Sequence, residues 1–203
     1  MADTAQARQR ETTLMGMYLF LGSEIMLFGG LFAVALALRL MHPQEIVAAS
    51  KHLHYGIGAA NTVVLLTSSL AVALAVAAAE AGKIKGTVVG LQAGAGLGIG
   101  FLALKAVEYV SEYHERLLPA LAPPEAFANP AAHLFMDLYL IATSLHAVHV
   151  TIGVGLLAGL ALRVHHRSLA LPRQATGVEV VGLYWHLVDV IWIFLYPVLY
   201  LVR

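Results

Sequence analysis

The chain has 203 residues, of which 60% are hydrophobic and 12% charged, and its formal net charge is zero. Soluble domains carry about a quarter charged residues, so this composition points to lipid, and the neutral balance offers no basic surface for nucleic acid. The sequence has no cysteine, which excludes disulfides, thiolate metal sites and cysteine nucleophiles.

Residues 1–13, MADTAQARQRETT, read as a polar N-terminal tail. The apolar run behind it is too long for the core of a signal peptide, so the expectation is a mature integral membrane protein with its own N-terminus. Residues 14–203 read as a single all-α domain, a polytopic bundle of five transmembrane helices. The spans are expected over about 14–40, 54–79, 87–112, 131–162 and 178–202. Helices are the economical reading because backbone groups in lipid must be satisfied internally and no alternating ten-residue strands occur. The stretch LLPALAPPEAFANP, residues 117–130, is too rich in proline to span and reads as an ordered surface loop. No repeat period is visible.

Lys and Arg are unevenly divided between the connections. Arg8, Arg10, Lys83, Lys85, Arg163, Arg167 and Arg173 fall on one face, against Arg39, Lys51, Arg116 and Arg203 on the other. That bias predicts the N-terminus inside and the C-terminus outside. The third span reads GLQAGAGLGIG, with Gly90 and Gly94, then Gly96 and Gly100, four apart; Gly155 and Gly159 repeat the spacing in the fourth. Such spacing lets helix backbones approach closely, within the chain or against another subunit. A nucleotide loop does not fit, for want of a preceding strand and an acidic partner.

Each ionisable residue inside a span needs a partner or a task, because a charge at mid-bilayer costs about 2.5–3.5 kcal/mol on insertion scales. Glu24 lies about ten residues into the first span, roughly 15 Å deep. Lys105 and Glu108 are one turn apart in the third span, and His146 and His149 share a face of the fourth. The fifth holds His186 and Asp189, and Glu179 opens that helix at the positive end of its dipole. Trp185, Asp189, Trp192 and Tyr196 form one stripe, which places Asp189 to accept from a histidine of the fourth span or from an indole N–H. Three readings compete for these groups. A metal site lacks the paired Glu-x-x-His motifs of a di-iron bundle. A transporter's ion path lacks inverted repeats and broken helices. Interhelical hydrogen bonding is the favoured reading. Spacing alone leaves a polytopic subunit or a small transporter.

The last stretch, YWHLVDVIWIFLYPVLYL, resembles the C-terminal signature of subunit III of haem–copper terminal oxidases. Four more motifs follow the family's order: FLGSEIMLFGGLF, NTVVLLTSS, FLALKAVEY and ATSLHAVHVTIG. The resemblance covers the chain from about Met15 onward, in the five-helix bacterial version that lacks the first two of seven helices. SLHAVH stands where the family more often has Gly-Phe-His-Gly-x-His, though Ser144 and Ala147 remain small.

The resemblance implies a non-catalytic subunit of a respiratory oxidase, most simply one oxidising cytochrome c, in a complex that couples oxygen reduction to proton pumping. It implies no catalytic, metal or cofactor-binding residue in this chain, with haem and copper in partner subunits. Subunit I is the main implied contact, with subunit II, other respiratory subunits and membrane lipids as further partners, in the bacterial plasma membrane. Glu24 matches the family's carbodiimide-reactive carboxylate. His146 and His149 match its paired histidines, and His186 and Asp189 its closing signature. Lys105 and Glu108 match its lysine- and Glu-Tyr-bearing segment. Arg163 matches a basic residue associated with bound phospholipid. The alternatives are a quinol oxidase subunit III, an accessory protein of a nitric oxide reductase, and a free-standing transporter.

Overall fold

The structure, a computed structural model, describes residues 2–50, 53, 55–114, 130–172 and 174–201, with side chains from residue 8. Most of the expected surface loop, and the expected charges Lys51, Arg116, Arg173 and Arg203, lie outside the described residues.

Six helices follow in order: α1 (Ala2–Met41), α2 (Pro43–Ser50), α3 (Tyr55–Glu80), α4 (Ile84–His114), α5 (Pro130–His165) and α6 (Thr176–Tyr200). All but α2 are long and apolar enough to cross a membrane, and no strand occurs among the described residues. The first helix runs straight through the polar segment, so it begins well before its apolar part. The short helix α2 was not foreseen. Pro43 at its first position and Glu45 in its first turn are the start signals that mark it.

The chain runs up and down. At one end Arg10 of α1 pairs with Glu179 of α6, N to O 2.9 Å. The hydroxyl of Tyr196, near the other end of α6, donates to the Tyr55 carbonyl at the start of α3 (3.2 Å). The first end is called the Arg10 end below and the second the Tyr200 end.

Glycine decides how closely the helices pack. A methyl group at Gly90 would lie 2.8 Å from the Ala71 carbonyl, and one at Gly94 would lie 2.5 Å from Val72, so α3 and α4 meet backbone to backbone. Gly98 of α4 and Gly153 of α5 open a slot for the Trp185 indole; a Cβ there would come within 2.6 and 2.7 Å of the ring. The expected pairs therefore divide: Gly90 and Gly94 pack inside, whereas Gly96, Gly100, Gly155 and Gly159 face open space. Helix α6 is the most enclosed of the five long helices, with Trp185, Val188, Trp192 and Leu195 fully buried. Helix α1 is the most peripheral, burying Phe28 and Ala35 while Leu19, Met26 and Leu40 stay exposed.

Candidate functional site

The Tyr200 end holds a closed charge network. Lys105 and Glu108 of α4 are 2% and 0% exposed, and their side chains are 3.0 Å apart. The Lys105 ammonium has three N–H donors, and all are used: on Glu108 (3.0 Å), on the Tyr139 hydroxyl of α5 (3.0 Å) and on the Tyr200 hydroxyl of α6 (2.6 Å). Each tyrosine passes its own proton on, Tyr200 to Glu108 (2.8 Å) and Tyr139 to Glu112 (2.7 Å). The rings of Tyr109, Tyr139 and Tyr200 also face the ammonium, with centroids 4.8, 4.9 and 5.3 Å away. One cation so ties three helices together. Removing it would leave the buried Glu108 carboxylate without its cation.

Below this network the core is built in two layers, seven residues apart on each helix. In the first, the Trp185 N–H donates to Ser68 Oγ of α3 (3.1 Å), and Ser68 donates to the Gly94 carbonyl of α4 (3.0 Å). In the second, Trp192 takes the place of Trp185. Its N–H donates to Thr62 Oγ1 (3.1 Å), its ring lies 5.2 Å from His146, and Phe101 stands edge-on to both. Asp189 lies between the two tryptophans on the same stripe of α6. Its oxygens make no hydrogen bond among the described residues. The expectation that it accepts from an indole or from a histidine of α5 is therefore corrected: both indoles donate to α3 hydroxyls, and His149 turns to another carboxylate. His186, one turn earlier, has its Nδ1 2.7 Å from Ser69 Oγ of α3.

Toward the Arg10 end, Glu24 of α1 meets His149 of α5, Oε2 to Nε2 3.0 Å, with 14% and 12% of the two side chains exposed. His149 Nδ1 lies 2.8 Å from the Leu145 carbonyl, which only accepts, so Nδ1 carries a proton. Nε2 faces Glu24 Oε2 at ion-pair distance, yet that oxygen makes no hydrogen bond among the described residues. Arg163 is exposed in the last turn of α5, beside His165 and His166.

Glu24 and His149 are thus brought together, as are Lys105 and Glu108. His146 and Asp189 border the Trp192 layer, His186 is tied to α3, and Arg163 stands apart. The sequence reading did not single out Tyr139, Tyr200, Glu112, Ser68 or Asn61. The spacing of Lys105, Glu108 and Glu112 on one face of α4 was a usable signal for Glu112. Tyr139 belongs to the face of α5 that also bears Thr143 and His146, all three buried. Among the described residues no group of three or more His, Cys, Asp or Glu comes together to hold a metal ion.

Comparison with known proteins places this arrangement. The profile of the family "Cytochrome c oxidase subunit III" matches residues 5–202. The chain is 30% identical to a cytochrome c oxidase subunit 3 of Bacillus subtilis, over 98% of this chain and 94% of that one. A quinol oxidase subunit 3 of the same organism is 28% identical, over 97% and 90%. A heme-copper oxidase subunit I+III of Aeropyrum pernix is 26% identical over 92% of this chain, which corresponds to 22% of that longer protein. With the five membrane helices and the match from end to end, this chain belongs to the cytochrome c oxidase subunit III family and is a subunit III of a haem–copper oxidase.

Proposed function

We propose that the chain serves as a non-catalytic assembly and support subunit, bound mainly to subunit I and also to subunit II of a cytochrome c oxidising complex. In this reading haem and copper reside in the partner subunits, where oxygen is reduced to water and protons are pumped. The observation that supports a supporting role is the use of the polar interior: Lys105 spends every donor on α4, α5 and α6 of its own chain. Such a group holds helices and has no hydrogen bond left for a substrate. Contact with subunit I is favoured by the A. pernix relative, whose name joins I and III in one chain. A quinol-oxidising complex is the second reading, favoured by the similar identity of the quinol oxidase relative.

The membrane is the bacterial plasma membrane in this account, with the Arg10 end inside. Arg8, Arg10, Lys83, Lys85, Arg163 and Arg167 all belong to that end. The chain from residue 14 is one membrane domain, and the polar segment before it extends α1 out of the bilayer. Arg163, exposed at the helix end, suits a phospholipid headgroup. Glu24 and His149 meet near the α1 surface, where two ionisable groups suit support of proton uptake by the neighbouring subunit.

The test is purification of the tagged chain from its native membrane in mild detergent, followed by a reduced-minus-oxidised visible spectrum. Haem bands with stoichiometric larger partners are expected, and the activity of that preparation with reduced cytochrome c or quinol assigns the donor. A colourless chain that no haem protein accompanies in several mild detergents would overturn the reading.

A further inference from the structure

Three buried polar side chains around Trp192 lack a partner in the chain. Asn61, His146 and Asp189 are 0%, 0% and 2% exposed. Among the described residues neither amide atom of Asn61, neither ring nitrogen of His146 and neither oxygen of Asp189 makes a hydrogen bond. Ser69 lies beside Asp189, and its hydroxyl, 2.7 Å from His186 Nδ1, satisfies at most one of the two carboxylate oxygens.

The register of the helices places Asn61 and His146 in one layer, with Asp189 one turn of α6 away. The Trp185 layer joins Ser68, Gly94, Gly153 and Trp185. Moving seven residues along each helix toward the Tyr200 end replaces them with Asn61, Phe101, His146 and Trp192. The contacts bear out this second layer: His146 and Phe101 both lie against Trp192, and Thr62, next to Asn61, receives the Trp192 N–H. Asp189 sits one turn before Trp192 on the same stripe of α6.

Buried polar atoms in folded proteins are bonded almost without exception, to protein or to ordered water. Neither a lipid nor a neighbouring subunit reaches side chains so enclosed. We infer that the layer around Trp192 is an internal water-binding site, in which ordered water bridges Asn61, His146 and Asp189. Water suits this set: the carboxylate and an imidazole nitrogen accept, the second imidazole nitrogen donates, and the amide does both. The Lys105 ammonium lies 5.7 Å from the Trp192 ring centre, so the closed network at the Tyr200 end borders this layer. This inference does not rest on the assignment to an oxidase.

The test is a density map of the native complex that contains this chain, at a resolution that shows individual waters, for the parent and for His146→Phe. Discrete water density is expected within hydrogen-bonding distance of His146 and of Asn61 or Asp189, with loss of the peak at residue 146 in the variant. Asn61→Leu serves as the second variant if His146→Phe does not assemble, and should lose the peak at residue 61. A parent map in which the three side chains bond directly to one another, with no water between them, would overturn the inference. So would a parent map with the side chains placed as here and no density around them.

Discussion

The two tryptophan layers of the core use the same helices and the same spacing, yet one is closed and the other open. Around Trp185 the small residues Gly98 and Gly153 admit the ring, and Ser68 accepts from the indole N–H while donating its own proton to the Gly94 carbonyl. Around Trp192 the register partners of Gly94 and Gly153 are rings, Phe101 and His146, and the side chains of Asn61 and His146 make no hydrogen bond among the described residues. Glycine thus does more than let helices approach. It exposes a carbonyl that can end a chain of donors. Where an aromatic ring replaces it, the polar groups need a molecule from outside the chain or remain unbonded.

The comparison can be broken first at its edge. Lys105→Met removes the cation paired with the buried Glu108 carboxylate, and should cost about 3–5 kcal/mol. Thermal unfolding of the detergent-solubilised complex would register it; an unchanged midpoint would mean that the carboxylate is held some other way. Next comes Gly153→Val, which drives a side chain into Trp185 and should cost about 1–3 kcal/mol. Gly155→Ala on the open face is its control and should leave the stability of this chain unaltered. Ser68→Ala takes away the acceptor of Trp185 without adding bulk, for about 0.6–2 kcal/mol. A value near zero would show that the indole finds another acceptor and that the closed layer is less specific than its geometry implies. The smallest effect is expected at Glu24→Gln, within about 1 kcal/mol for a peripheral pair. Assembly should survive, because the amide can still donate to His149 Nε2. Complete loss of the complex would instead argue for an ionised pair that holds α1 in place.

Much of the fold was legible. Length and apolar runs marked all five membrane helices, since a span must be long and continuous whatever surrounds it. The ends were harder: α1 begins within the polar segment and α2 hides in what read as a connection. The partners of the polar residues were harder still. Lys105 meets Tyr200 across 95 positions, and Glu24 meets His149 across most of the bundle. A soluble helix announces its inner face by amphipathic patterning. Here lipid and core are both apolar, so Asn61 could not be sorted from outward-facing polar groups by sequence alone. The resemblance supplied the family where periodicity left a transporter open, and the end-to-end match agrees with it.

The central claim is that this subunit supports a catalytic neighbour and does no chemistry of its own. The most direct measurement compares the purified complex with and without this chain, recording the haem spectrum and the initial rate of oxygen consumption. The account predicts unchanged haem bands and a retained initial rate that decays faster over successive turnovers when the chain is missing. Immediate loss of a haem band or of the initial rate on gentle removal, restored by adding the chain back, would contradict it.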